Sequence, residues 1–420
     1  MQVNPAMKSG SAGTMPPDLS ELLRNALRWG YPRVCSAFHF FVTSRFQPNV
    51  VHGRAPAEVV ENIREYLATH PSMGTYLWGA DGVPRTYELP KGVPDVLRSS
   101  FEEGSHFPGI QRELFVLKEA SIRGGFCGAL VTRDGRLILS ASPCPWGWRA
   151  HPALRRLDFP KPRGLNGRVL YLCTPGLHGG NYYHCLLDCL PKLFLLGSGI
   201  HPASSWDHVV VNSDRPYLLD ALQRIGIPSE KIIFLEERSN FIAEELHVPW
   251  FEGSLHGVDA WQTEAARSIY RTNKSPEGKS RLYLVRESAG RRRILNEASL
   301  LKLLESFGFQ AVDCSALSIG EQAMLFQDAE AVVSVHGAAL ANIIFCQPGT
   351  RVVEIFNPLA VRTLYRSLAT VLGLEYYAAA SIPSARGLGM PLHRRMSLDF
   401  SVDEDSFSLV LRELFLSGSP

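Results

Sequence analysis

The chain lacks the common nucleotide and nucleophile signatures. It has no Gly-x-Gly-x-x-Gly after a strand, no Gly-x-x-x-x-Gly-Lys-Ser/Thr and no Gly-x-Ser-x-Gly, so the usual dinucleotide, P-loop and α/β-hydrolase signals are missing. It also lacks an excess of charge of one sign. Lys and Arg number 43 against 41 Asp and Glu, a net +2, without the basic stripe expected of a nucleic-acid binder. Long apolar runs are absent too. The first thirty residues hold no segment of signal-peptide length, and the apolar stretch 329–346 is broken by Glu330, His336 and Asn342, so no membrane span is expected. The eight cysteines (35, 127, 144, 173, 185, 189, 314, 346) form no Cys-x-x-Cys pair and no zinc spacing. Several sit in apolar runs, where reduced cysteine acts as a small hydrophobe. The expectation is a reducing, cytoplasmic setting, with room for peripheral membrane association. The sole Asp-x-Asp, Asp403 to Asp405, lies in an acidic C-terminal stretch, so neither a metal-held diphosphate nor a cofactor is expected.

What is present is a globular composition, 45% hydrophobic and 20% charged, on a length that suits two domains. Residues 1–17 read as disordered. Residues 18–110 form a mixed region with helical patches at Leu19–Trp29 and Pro56–Leu67. GALVTRDGRLILSAS (128–142) reads as a hairpin around Asp-Gly. From RVLYLC (168–173), strands alternate with helices: NYYHCLLDCLPKLFLL as a helix, HVVVNS, PYLLDALQRIGI and KIIFL. Residues 253–273 read as a crossover. The theme repeats with RLYLVR, a helix capped by Asn296, QAVDC, a capping box opening at Ser318, AVVSV, RVVEIF, TLYRSLATVLGL and EYYAAA. This predicts an α/β fold of two Rossmann-like lobes, 111–252 and 253–385, with a C-terminal tail and helix over 386–420.

Open parallel sheets bind ligands beyond the carboxyl ends of their strands. Two segments leave strands there with histidine and small residues: His178-Gly179-Gly180-Asn181, and His336-Gly337-Ala338-Ala339. Small residues let a ligand approach the backbone, and the N–H groups that follow suit phosphate; the competing reading of His336 is a core histidine bonded to a carbonyl. Arg286, Arg291, Arg292 and Arg293 cluster after another strand and match phosphate oxygens, or else form a solvated charged face. His184 and Asp188 stand four apart on one helix face, as a general-base pair or a structural hydrogen bond. Pro191 is expected to kink that helix.

NYYHCLLDCLPKLFLL, LYLVRESAGRRRILNE and SIGEQAMLFQDAEAVVSVHGAALANIIFCQPGTRVVEIF together resemble glycosyltransferase family 61, over roughly residues 110–380. The resemblance implies a GT-B-like, two-lobed, inverting and metal-independent glycosyltransferase. It would move sugar from a nucleotide-sugar, first of all a UDP-sugar, to a glycan or polysaccharide acceptor. A non-catalytic nucleotide-sugar-binding scaffold is the alternative. Carried over, Arg286, Arg291 or its neighbours Arg292 and Arg293, and His336 hold the diphosphate. Gly337 and Ala338 supply backbone contacts, and Asn296 belongs to the same donor segment. Glu321 and Gln322 match a family pair, though Glu321 also spells a capping box. Asn342 anchors the loop, and Glu354 meets the ribose or stays structural. Asp188 is the first choice of base with His184 as partner or rival, and His178, Asn181 and Tyr183 stand on the acceptor side. The chain departs from the family at Cys185, where tryptophan is usual, and in its three consecutive arginines.

Overall fold

A computed structural model describes residues 58–125, 128–142, 160–177, 180–197, 205–254, 257–271, 280–286, 290–383, 387 and 389–415. The readings made on residues 1–57, on His178 and on Cys35, Cys127 and Cys144 lie outside them. The strands are β1 (Glu58–Val60), β2 (Gly74–Ala80), β3 (Arg85–Thr86), β4 (His106–Phe107), β5 (Arg112–Arg123), β6 (Ala129–Val131), β7 (Arg136–Ile138), β8 (Arg163–Tyr171), β9 (His208–Val211), β10 (Ile232–Phe234), β11 (Asn240–Phe251), β12 (Ser280–Leu284), β13 (Phe309–Val312), β14 (Ala329–Val335), β15 (Arg351–Phe356) and β16 (Glu375–Ala380).

Two sheets carry the fold. The first is mixed, in the order β1-β7-β6-β5-β11-β8-β9-β10, with β2 also on β5. Its β11-β8-β9-β10 part is parallel, whereas β5 pairs antiparallel with β11, β2 and β6. The expected hairpin is β6–β7. The second sheet is wholly parallel, in the order β13-β12-β14-β15-β16. Its β-branched strands, AVVSV and RVVEI, are covered on both faces, as parallel strands must be. One apolar cluster joins Leu170 and Val209 of the first sheet to Leu282 and Val332 of the second through the intervening helices. A further cluster packs the helices Glu297–Ser306 and Glu404–Phe415 on the other face of the second sheet.

Local sequence accounts for several boundaries. Ser318 and Glu321 close a reciprocal capping box on the helix Ile319–Gln327. Gly373, at φ +68°, ends the helix Leu364–Leu372 in the left-handed conformation that glycine takes without strain. Asn296, by contrast, makes no side-chain cap. Its amide instead donates to Val402 O and Glu404 Oε1, each at 2.8 Å, and accepts from Val402 N, tying the C-terminal segment down. None of the described helices is long and apolar enough to cross a membrane. The described cysteines, 173, 185, 189, 314 and 346, are buried.

The helix read over 181–196 is interrupted. Asn181 caps a short α-turn, Cys185–Cys189 forms a π-turn with Leu190 N bonded to Cys185 O, and Pro191–Phe194 resumes the α-helix. The cause is Pro191, which lacks the N–H that Leu187 O would accept. That carbonyl is taken instead by the Gln262 side chain at 3.0 Å.

Candidate functional site

The second sheet reverses its strand order between β12 and β14. Its order is that of the flavodoxin-like doubly wound sheet, whose ligand crevice lies outside the carboxyl ends at this switch point. Arg286 follows β12 and His336 follows β14. A cleft of about 750 Å³ opens there, lined by Arg286, Arg291, Arg292, His336 and Gly337, and across from them by His184.

The arginines are held in a costly state. The Nε atoms of Arg286 and Arg292 are buried without a hydrogen-bond partner among the described residues. Burial, reinforced by Arg286 and Arg291, lowers the Arg292 pKa to about 10. Burial also lowers that of Arg286, with Arg291 adding to the effect. Arg292 is left-handed at φ +60°, a conformation that costs a non-glycine residue on the order of 1 kcal/mol. Its Nη1 donates to His336 O at 2.8 Å, locking the two strand-end loops together. Burial, mutual repulsion and backbone strain coincide where an anion would relieve the first two.

His336 is half of a histidine–carboxylate pair. Its Nδ1 lies 2.5 Å from Glu354 Oε1, and Glu354, on the adjacent β15, is fully buried with its other oxygen accepting from Tyr376 OH. A carboxylate only accepts, so Nδ1 carries the proton and Nε2 is left for the cleft. Glu354 is therefore structural. Gly337 is extended (φ −175°), so its value is space: a Cβ there would overlap Arg286 Nη1. Gly337→Ala is expected to displace that guanidinium and weaken anion binding at least as much as Arg286→Lys, with unchanged secondary structure by circular dichroism. The amides of Ala338 and Ala339 precede the first bonded N–H of the 3-10 helix Ala338–Phe345, that of Leu340.

Asn342 explains the polar residue inside the apolar run. It is fully buried, accepts from Tyr182 OH at 2.7 Å, and donates to Gln322 Oε1 at 2.5 Å and Ala339 O at 3.0 Å. Through Gln322 it uses the second member of the matched Glu-Gln pair, while Glu321 is exposed and spent on its capping box. Asn342→Leu strands its three hydrogen-bond partners and is expected to lower unfolding free energy by about 2–4 kcal/mol, read from urea midpoints at constant slope.

On the opposite wall, His184 Nδ1 lies 2.5 Å from Asp188 Oδ2. Asp188 is 5% exposed, and its Oδ1 accepts from both Ser254 N (2.8 Å) and Ser254 Oγ (2.6 Å). Gly176, left-handed at φ +78°, leaves room for the imidazole edge. Of the pair only His184 lines the cleft, while Asp188 accepts three hydrogen bonds behind it and holds the ring. Tyr183 and Tyr365 stack edge-on between the two histidines, with His184–Tyr183, Tyr183–Tyr365 and His336–Tyr365 centroids 5.5, 5.7 and 5.4 Å apart. Tyr183 OH is bonded to Ser254 O, so its role is packing rather than hydroxyl recognition.

Other sequence candidates fall elsewhere. Arg293 points away, exposed and paired with Asp399 at 2.8 Å, and Asn296 serves the C-terminal segment described above. Asn181 lines the cleft, but its side chain accepts from Tyr183 N as a cap. Sequence reasoning missed Arg362, which adds a cation to the rim, and Asp313 and Ser315 at the end of β13. No cluster of three or more metal-ligating His, Cys, Asp or Glu side chains exists among the described residues.

An open α/β sheet with a basic crevice at its switch point defines a class of phosphate-ligand sites. Comparison with known proteins narrows the class. Residues 182–353, which contain His184, Asp188, His336 and the arginines 286 and 291–293, match the family model described as Glycosyltransferase 61. The chain is similar to the protein O-linked-mannose beta-1,4-N-acetylglucosaminyltransferase 2 of Canis lupus familiaris, 40% identical over 94 residues (20% of this chain, 16% of the relative). The Mus musculus protein of the same name is 38% identical over 91 residues, with the same coverage of 20% and 16%. The chain thus spans under one-fifth of the length of these relatives.

Proposed function

We propose that the chain is an inverting glycosyltransferase that binds the diphosphate of a nucleotide-sugar through Arg286, Arg291, Arg292 and His336, without a metal, and transfers the sugar to a glycan hydroxyl. The sheet of β12–β16 would form the donor lobe and the first sheet the acceptor lobe of a GT-B-like arrangement. One observation carries the reading. Buried, partnerless guanidinium nitrogens and the free edge of His336 converge across a single cleft from a carboxylate-held histidine. Fixed cations aimed at a leaving diphosphate stabilise the charge that grows as the glycosidic bond breaks. Among the described residues that line the cleft Asp313 alone carries a carboxylate, and its Oδ1 accepts from Ser315; Asp188 and Glu354 hold the two histidines from behind. In this reading the arginines supply the counter-charge.

His184 is the base in this mechanism. Asp188, accepting from Ser254, fixes the proton on Nδ1 and leaves the Nε2 lone pair for the acceptor hydroxyl. As the acceptor oxygen attacks the anomeric carbon, its proton passes to Nε2 and the bond to the diphosphate breaks on the opposite face. Asp188 then stabilises the imidazolium. The names of the relatives point to N-acetylglucosamine as the first donor to try; a β-linked product from an α-linked nucleotide-sugar is inversion. Incubation with UDP-N-acetylglucosamine and a glycan acceptor panel, with EDTA present, should release UDP only when an acceptor is added and give a product of opposite anomeric configuration. Tight donor binding with no UDP release under any acceptor would favour the scaffold instead.

A further inference from the structure

Asp313 stands in the wall of a cleft otherwise charged by Arg286, Arg291, Arg292 and Arg362. An anion there repels the diphosphate that the arginines attract, so it needs a reason of its own. Neutralising the arginines is not that reason. Among the described residues no guanidinium pairs with Asp313; its Oδ1 accepts from Ser315 N at 2.9 Å and from Ser315 Oγ at 2.7 Å. These bonds cap the 3-10 turn Cys314–Ala316 and fix the half-buried carboxyl group. A cap alone would be met as well by serine or asparagine, without the charge. Oδ2 accepts from no described residue. A carboxylate only accepts, so what it can take from a ligand is a hydroxyl or an amine, never a phosphate oxygen.

The topology says which hydroxyl lies within reach. β13 pairs parallel with β12, Leu284 beside Val312, and Val285 N donates to Val312 O at 3.0 Å. Asp313 therefore leaves its strand in step with Val285, one residue short of Arg286, on a strand about 4.8 Å to the side. His336 leaves β14 on the other side of Arg286. Along the carboxyl edge the order is carboxylate, guanidinium, imidazole. A nucleotide-sugar carries the complementary order: ribose hydroxyls, then diphosphate, then the sugar to be transferred. That last sugar must lie towards His184. Tyr182 OH on Asn342 and Tyr183 stacked on Tyr365 seat the His184 helix against the segment that follows β14. With the diphosphate at the switch point, the ribose falls at the opposite end, over β13. In dinucleotide-binding sheets an acidic residue beyond the phosphate turn takes a ribose hydroxyl in this way; here it does so without the glycine fingerprint.

We infer that Asp313 accepts a hydroxyl of the nucleotide's ribose, so that the site takes ribonucleoside diphosphate-sugars in preference to deoxythymidine diphosphate-sugars, an inference that rests on the transferase reading. The test measures, on the full chain, the dissociation constants of UDP, GDP, ADP and CDP, each beside its 2′-deoxy and 3′-deoxy forms. The ribonucleotide that binds should be held about tenfold more tightly than at least one of its deoxy forms, the value of a hydrogen bond to a charged acceptor. Asp313→Ser keeps the cap and loses the reach, so the ratio should fall to about one, with inorganic pyrophosphate bound no more weakly than by the parent. Should that variant fail to fold, Asp313→Asn, of the same shape and uncharged, should lower the same ratio. Equal binding of the ribo and both deoxy forms by the parent would overturn the inference. So would a preference that survives Asp313→Ser, or a loss shared equally by ribo forms, deoxy forms and pyrophosphate, the pattern of a purely structural aspartate. Each of these leaves the transferase reading standing. Failure of every nucleoside diphosphate to bind would sink that reading and the inference with it.

Discussion

Replacing His184 by alanine is expected to lower sugar transfer by about 10²–10⁴-fold while nucleoside diphosphate binding stays close to that of the parent. The asymmetry follows from where the ring stands. The ring lines the cleft with Nδ1 held by Asp188, so its loss removes the proposed proton acceptor and leaves the arginine site intact. Asp188→Asn should also transfer poorly, but for a different reason. The amide no longer forces the proton onto Nδ1, and one of its groups must meet the Ser254 donors or the imidazole wrongly. Because Asp188 is buried and bonded three times, its variant should also lose stability. His184→Ala, at a partly open site, should lose far less. Steady-state transfer, UDP binding and urea unfolding on both variants read these effects apart. Full turnover in His184→Ala would remove it from the mechanism.

The second large effect is at Arg286. Arg286→Ala is expected to weaken UDP binding roughly 10- to 100-fold, the value of a charge-assisted hydrogen bond. The same change should raise the melting temperature of the ligand-free protein. Arg286 is half-buried near Arg291 and Arg292, with a buried Nε that bonds to nothing among the described residues, so without an anion it costs more than it contributes. Opposite signs for stability and binding are the mark of a residue kept for its ligand. Arg293→Ala is the control. Its guanidinium serves Asp399 on the surface, and its removal should leave UDP binding unchanged.

Much of this was legible in the residues, for physical reasons that differ by element. The second sheet repeats short β-branched strands between capped helices, so β12 to β16 and the placement of Arg286 and His336 at strand ends follow from period and capping alone. The first sheet was harder. β5 and β11 are each 12 residues long, yet FIAEELHVPWF mixes charge, histidine and proline, and its burial does not alternate cleanly. Pairing across more than a hundred positions, not local pattern, makes it a strand. Which of His184 and Asp188 lines the cleft was out of reach for a similar reason. A spacing of four puts both on one face but cannot say which lies deeper, and Ser254, which saturates Asp188, is distant in sequence. The arginine cluster told of an anion site without telling which members serve it. Asp399, far along the chain, takes Arg293 out, and Arg362 comes in from another loop. Asn296 sat where a cap belongs, but the C-terminal segment claimed its amide.

The central claim is a metal-free grip on a diphosphate, and thermal unfolding with UDP, UMP and uridine, each with and without EDTA, tests it most directly. A ligand that binds only the folded state stabilises it in proportion to the logarithm of its saturation. The account predicts a large shift with UDP, a smaller one with UMP and none with uridine, all indifferent to chelator and abolished for UDP in the Arg286→Ala, Arg292→Ala double variant. Equal shifts for UDP and uridine, or a UDP shift that vanishes with EDTA, would contradict it.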